Sequence, residues 1–492
     1  MNAVTWPRPA LFSSWRWHLG VGLLVAVVIA ALYALSGQIG TGLAVTGMNS
    51  PAYWGLYIVN FVFFVGLSAG GIIIASLVHA FGLHRFRPVA RIAELMALAC
   101  VILAVIFILL DMGRPDRLGN LFRHGQLQSP LVWDVAVVNL YLLVSLAYAY
   151  VTLRADLARL TAGPRHRWLY RLLTLGDVDL SPRALARDEK ILQRLALAGL
   201  PLAVALHTVT AWILGLVKAR PGWYGAIMAP LFIVSATVSG LALLLLSVVV
   251  CRRVLGLAID ERAVRDLGTL LVVSIPVLGY LLFAELLTVL YGREPAAFHV
   301  FHEMMRGEYA PVFWGNLFLG LIYPQLALAA ILLGLRPARI LWGGLLATPI
   351  VVFTAVRLWE ETSAGLGSIV TGVLGSAVPP WLVYAVVWLA ALSPLLLLLD
   401  QRTPADIRIG VVAGLVVLGV LAERWNIVIT PLIGHAHLPS AYLPPFYAPT
   451  APEMVVTAGV YALGALLFVL AARFLPLVAL DLSPRPVGGG GA

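Results

Sequence analysis

Charged and polar side chains in an otherwise apolar chain mark the places where chemistry could occur. The run Leu110-Asp111-Met112-Gly113-Arg114-Pro115-Asp116-Arg117 sets two carboxylates beside two guanidinium groups at the end of an apolar stretch. Trp133-Asp134 opens the next stretch, and His207 precedes Trp212 in the one after. Carboxylate, guanidinium, imidazole and indole groups at one level can hold a flat amphipathic ring by its two oxygens and keep a proton partner beside it, so the set suits a quinone head group. Asp111, Asp134 and His207 are the candidates for the proton chemistry. Arg114, Arg117 and Trp133 would meet the ring, together with Ser68 and Gly70 of Ser68-Ala69-Gly70-Gly71, whose small side chains let a ring or a second helix approach closely. Without a ligand the same residues read as a capping and salt-bridge cluster, with Asp134 suited to a helix start, and the glycines as helix packing.

A second set comprises Glu285, the His299, His302 and Glu303 loop, Arg357 with Glu360 and Glu361, Glu423 with Arg424, and Glu453. Glu285 lies about two helical turns inside Tyr291, at hydrocarbon depth, and needs a partner, for which Arg357 or Arg424 is the natural choice. His299, His302 and Glu303 have a spacing that could serve a metal, but in a polar loop they read as solvated surface. His79 and Glu94 lie towards the opposite membrane face; with Asn139 and Tyr141 they could form a proton relay, or they and the charged residues above could be structural ion pairs. His79 and His207 sit at unequal depths, which disfavours a bis-histidine haem. Cys100 and Cys251 form no CxxC pair, so no iron–sulfur cluster, c-type haem or zinc site is expected in this chain.

The elements that must position these groups follow from composition. Of 492 residues, 61% are hydrophobic and 11% charged, against about 25% charged in ordinary soluble domains. The mean hydropathy is +0.95. Such an excess has to face lipid, and apolar runs of about 20 residues predict an all-α, polytopic transmembrane helix bundle of about 10–12 spans. The runs Ile340–Val356 and Ile409–Ala422 are short. The first, His18–Leu35, is long for a signal peptide and reads as a retained span. Most of the 33 basic residues fall in alternate loops, which predicts cytoplasmic N- and C-termini in a bacterial cytoplasmic membrane. The formal charge of +10 is explained in this way without nucleic acid. The one sizeable polar region, Arg154 to Arg194, reads as a cytoplasmic loop broken at Gly163-Pro164 and Ser181-Pro182.

Orientation also brings out a weak repeat: Leu110-Asp111-Met112-Gly113-Arg114 is answered by Leu290-Tyr291-Gly292-Arg293, and Ser68 to Gly71 by Ser235-Ala236 and Ser239-Gly240. Within a single membrane domain, 1–492, this suggests a first four-helix unit at 52–217, a second at 226–358, and further helices at 380–475.

Several stretches together resemble the NrfD, or polysulfide-reductase, membrane subunits, including larger members of alternative complex III and sulfur-metabolising complexes. They are Trp54-Gly55 through Gly71, Leu110 to Arg117, Ser129-Pro130-Leu131-Val132-Trp133-Asp134, His207 to Trp212, Arg220-Pro221-Gly222-Trp223-Tyr224, Glu423-Arg424-Trp425 and Tyr447 to Glu453. The resemblance implies a subunit that carries no redox centre of its own, binds menaquinone or ubiquinone on the outer side near Asp111 and Ser68, and exchanges electrons with an extracytoplasmic, ferredoxin-like iron–sulfur subunit. It further implies a molybdopterin catalytic subunit as partner, and proton movement. Some quinol-linked members carry histidine where this chain has Ser68. From the residues alone, intramembrane carboxylates would also suit a proton-coupled secondary transporter, and the bundle a structural anchor.

Overall fold

The computed structural model describes residues 10–49, 52–163, 166–307, 309–335, 402–433 and 447–478, and all regular structure in them is helical. Ten helices among these residues are long and apolar enough to cross a membrane. They are α1 (Trp15–Thr41), α2 (Leu56–Ala75), α3 (Arg87–Asp111), α4 (Pro130–Leu160) and α5 (Pro182–Gly215). The series continues with α6 (Met228–Arg253), α7 (Glu261–Gly292), α8 (Ala310–Leu332), α9 (Ala405–Val428) and α10 (Ala451–Phe474). The run Ile409–Ala422 is therefore the middle of a full-length span. The apolar runs 340–356 and 381–399, with Arg357, Glu360 and Glu361, lie outside the described residues, as do parts of the proposed units 226–358 and 380–475.

Local signals set the helix ends. Ser14 and Ser181 accept backbone N–H bonds from Trp17 and Ala184 as N-caps, and Asp260 does the same for Arg262 at the start of α7. Thr450 and Glu453 form a reciprocal capping box on α10. Two spans depart from α geometry: α2 runs on into a π-helical turn, Ser76–Ala80, and α8 contains a π segment, Asn316–Ile322. Such wide turns often occur at functional sites.

Helix α2 is central, packed against α3, α5, α6 and α9, and almost every one of its residues is buried. Helix α1 is peripheral, leaning on α10. Its exposed side chains include Leu19, Leu23, Ile29 and Leu32, a surface that only hydrocarbon suits. The molecule has two ends. One carries Asp111, Tyr447 and the start of α10. The other carries Arg154, buried and bound to Asp188 (2.5 Å) and Asp177 (3.3 Å). At that second end the polar region between Arg154 and Arg194 is largely helical rather than loop: α4 extends to Leu160, a short helix spans Arg167–Leu173, and α5 begins at Pro182. There the Arg187 guanidinium, hydrogen-bonded to Asp177, holds that carboxyl below the usual aspartate range.

Candidate functional site

The polar residues of the first half meet in one layer between α2, α4 and α5. Ser68, wholly buried, donates to the Val65 carbonyl (2.7 Å), and the Tyr141 hydroxyl donates to the Ser68 carbonyl (3.0 Å). His207 sets Nδ1 2.6 Å from the Ala203 carbonyl and Nε2 3.2 Å from that of Val65, so whichever nitrogen carries the proton has an acceptor. Asp134, also wholly buried, accepts from the Thr210 hydroxyl (2.6 Å), and its other carboxylate oxygen has no partner. Gly70 is met by a helix: a Cβ there would stand 2.4 Å from the Gly240 carbonyl oxygen, so α2 and α6 touch backbone to backbone. Small residues at this level admit a neighbouring helix to close approach.

Asp111 stands at the last residue of α3, with one carboxylate oxygen buried and without a hydrogen bond. The chain turns sharply beyond it through Gly113, whose φ of +64° favours glycine. Beside it the Tyr57 hydroxyl donates to Gln38 (2.7 Å), whose amide donates to the Leu110 carbonyl (3.3 Å). Arg114 turns away to Asp116 (2.8 Å) in an exposed pair that holds the Asp116 carboxyl low; Arg117 is exposed. The Trp133 indole donates to the Leu127 carbonyl (2.5 Å). Towards the other end, His79 faces Glu189 (3.4 Å), and Glu94 is buried with one oxygen unpartnered.

Among the described residues, two cavities flank α9. On one side a cavity of about 550 Å³ is walled by α2, α9, α10 and the start of α8, with Asn60, Leu418, Ala422, Trp425, Thr457 and Tyr461 among its residues. Its walls are mainly apolar, but the Trp425 indole nitrogen and the Thr457 hydroxyl are buried without partners, and the Tyr461 hydroxyl donates to Asn60 (2.6 Å). Leu418 is 61% exposed, so the wall reaches the surface that faces lipid. At its upper edge Glu453 accepts from the backbone N–H groups of Gly47 (3.1 Å) and Leu56 (3.2 Å) and from the Tyr447 hydroxyl. Burial and that carboxylate push the Tyr447 phenol well above its ordinary range. Glu453 thus ties the loop after α1 and the start of α2 to α10.

On the other side of α9 a cavity of about 240 Å³ contains Glu285, Asn316, Glu423 and Asn426. Glu423 accepts from Ser235 (2.7 Å) and pairs with Arg424 (3.7 Å), which also donates to Ser235 (2.8 Å) and lies over the Phe232 ring. The partner of Arg424 is therefore Glu423 rather than Glu285, because adjacent residues on α9 already neutralise each other. No described residue forms an ion pair with Glu285. His299, His302 and Glu303 lie on a short helix, Pro295–Arg306, and among the described residues no three His, Cys, Asp or Glu side chains gather to hold a metal. Sequence reasoning passed over Asn60, Asn316, Asn426, Thr457 and Tyr461, each a single polar residue in an apolar run. Trp425 had a signal, as it follows Glu423-Arg424.

The ten spanning helices among the described residues, with lipid-facing apolar surfaces and ligand-sized cavities between them, define a polytopic helical membrane protein. The sequence pattern of the family described as polysulphide reductase, NrfD, matches residues 44–358, and the chain belongs to that family. It is 32% identical over 472 residues to a putative dimethyl sulfoxide reductase membrane subunit of Halobacterium salinarum, covering 96% of this chain and 94% of that one. A selenate reductase subunit of Mesobacillus selenatarsenatis is 29% identical over 314 residues, 62% of this chain and 73% of the relative. The Hdr-like menaquinol oxidoreductase integral membrane subunit of Archaeoglobus fulgidus is 26% identical over 298 residues, 59% and 65% respectively.

Proposed function

We propose that this chain is the quinone-reactive membrane subunit of a multi-subunit oxidoreductase, with its quinone site in the cavity between α2, α9 and α10. The carrying observation is the form of that cavity: about 550 Å³, apolar walls, a lipid-facing edge, and two unpartnered hydrogen-bonding side chains, Trp425 and Thr457. A membrane quinol supplies two electrons and two protons when bound. Trp425 Nε1 and Thr457 Oγ1 would hold the ring oxygens, and the Asn60–Tyr461 pair would fix the ring's second edge. Asp111 takes a proton at its unpartnered oxygen, beside the contact between Tyr57 of α2 and Gln38 of α1. Ser68, Asp134 and His207 hold α2, α4 and α5 in register beneath the site.

The Asp111 end is the extracytoplasmic one in this reading, since the basic region from Arg154 to Arg194 lies at the other. Its electron partner is an extracytoplasmic, ferredoxin-like iron–sulfur subunit joined to a molybdopterin enzyme, a reading supported by the reductase names of the relatives. The menaquinol named for the Archaeoglobus protein favours menaquinone. The test is titration of the intact complex with a quinone-site inhibitor, read by indole fluorescence and by quinol-linked turnover. Ala422→Phe should fill the cavity and abolish inhibitor binding while the complex still assembles. Asp111→Asn should lower turnover by about 10² with inhibitor affinity kept, the usual scale for a positioned proton partner. Unchanged inhibitor binding in Ala422→Phe would remove the site from this cavity.

A further inference from the structure

The smaller cavity is separated from the proposed quinone site by α9, whose Ala422 and Trp425 face one way and Glu423 and Asn426 the other. Asn316 and Asn426 are both more than nine-tenths buried. The oxygen of Asn316, both polar atoms of Asn426 and one oxygen of Glu423 have no hydrogen-bond partner. Glu423 Oε1 faces Arg424 at 3.7 Å without a hydrogen bond and the other three atoms are bare, which at membrane depth is costly and calls for an occupant. Asn426 Nδ2 needs an acceptor while the three oxygens need donors, and water is the small molecule that serves both. The volume of about 240 Å³ has room for several waters at roughly 30 Å³ each.

Charge adds a second constraint. Among the described residues, Glu285 and Glu423 share this space with one neighbouring cation, Arg424, which is held by Glu423 and Ser235. The remaining walls, from α6, α7, α8 and the short helix Pro295–Arg306, contribute Met228, Phe283, Phe301, Met304 and Phe313, with no further ionisable side chain among the described lining. Among the described residues, neutrality at this depth is reached when Glu285 carries a proton. A bare metal ion would satisfy the oxygens but would confront the Asn426 amide donors and the guanidinium next to Glu423. A proton carried by water does neither. Asn316 begins the π segment of α8, a wide turn of the kind often found at functional sites.

We propose that this cavity is a hydrated proton-exchange site in which Glu285 takes up and releases a proton inside the membrane, separately from the quinone cavity across α9. The site stands on its own residues and does not depend on what fills the larger cavity. The experiment is carbodiimide modification of the intact complex in native membranes, with peptide mass spectrometry at Glu285, since the reagent attacks protonated carboxyls in apolar surroundings. Modification of Glu285 should fall at least about ten-fold between about pH 6 and about pH 9, a range in which buried glutamates titrate, and sodium ions should leave it unchanged. Glu285→Gln should remove the modified peptide and leave quinone-site inhibitor binding as in the unaltered complex. Absence of modification at every pH would overturn the proposal. Suppression by sodium would overturn it in favour of a metal-cation site. Loss of inhibitor binding in Glu285→Gln would overturn the separation of the two cavities.

Discussion

The layer joining α2, α4 and α5 and the space flanking α9 hold similar polar residues in opposite conditions. In the first, Ser68, Tyr141, His207 and Thr210 are hydrogen-bonded and packed, one oxygen of Asp134 beside them stays unbonded, and Gly70 is closed by Gly240. In the second, Trp425, Thr457, Asn316 and Asn426 carry bare polar atoms and line open volume. A polar side chain within a membrane is expensive in either setting. What distinguishes a strut from a site is whether its hydrogen bonds are already made and whether there is room for something to complete them.

Substitutions on the two sides should then fail in different observables. The largest effect is expected from Glu423→Leu, which leaves Arg424 buried without its carboxylate; breaking such a pair costs about 3–5 kcal/mol and should appear as loss of folded protein in detergent thermal unfolding. Gly70→Ala should cost about 1–3 kcal/mol in the same assay, because backbone rather than a side-chain tip blocks the new Cβ. Thr210→Val should cost a similar amount, about 1–3 kcal/mol, by leaving Asp134 with neither oxygen bonded, while inhibitor affinity stays unchanged. Trp425→Phe inverts the pattern: melting should hold, and quinone-site inhibitor affinity should drop about three- to ten-fold, the value of one neutral hydrogen bond. Equal loss of melting in Thr210→Val and Trp425→Phe would erase the distinction between the regions. Asp116→Asn should change neither observable, since its pair with Arg114 is exposed and such pairs contribute little.

Much of the architecture was legible because the bilayer imposes it. Apolar runs of about 20 residues can only be helices, whereas the caps at Ser14, Ser181, Asp260 and Thr450 emerged with the structure, Ser181-Pro182 having read as a break in a loop. Legibility fell where the choice was between helix faces. Nothing in the apolar run of α2 marks Asn60 as a cavity wall and Ser68 as a strut; the two lie on one helix, and their neighbours α10 and α4 come from distant parts of the chain.

The sequence by itself determined that this protein is a helical membrane bundle of the NrfD family, with its charges gathered near membrane depths that soluble proteins never need. Composition, run length and motif order are local properties and survive any arrangement of the helices. Only the tertiary structure decided that Arg424 belongs to Glu423, that Gly70 receives a helix, and that α9 divides two cavities. Those outcomes depend on which side chains face each other across helices far apart in sequence, and a helix with apolar residues on every side carries no periodic signal of which face turns towards lipid, protein or open space.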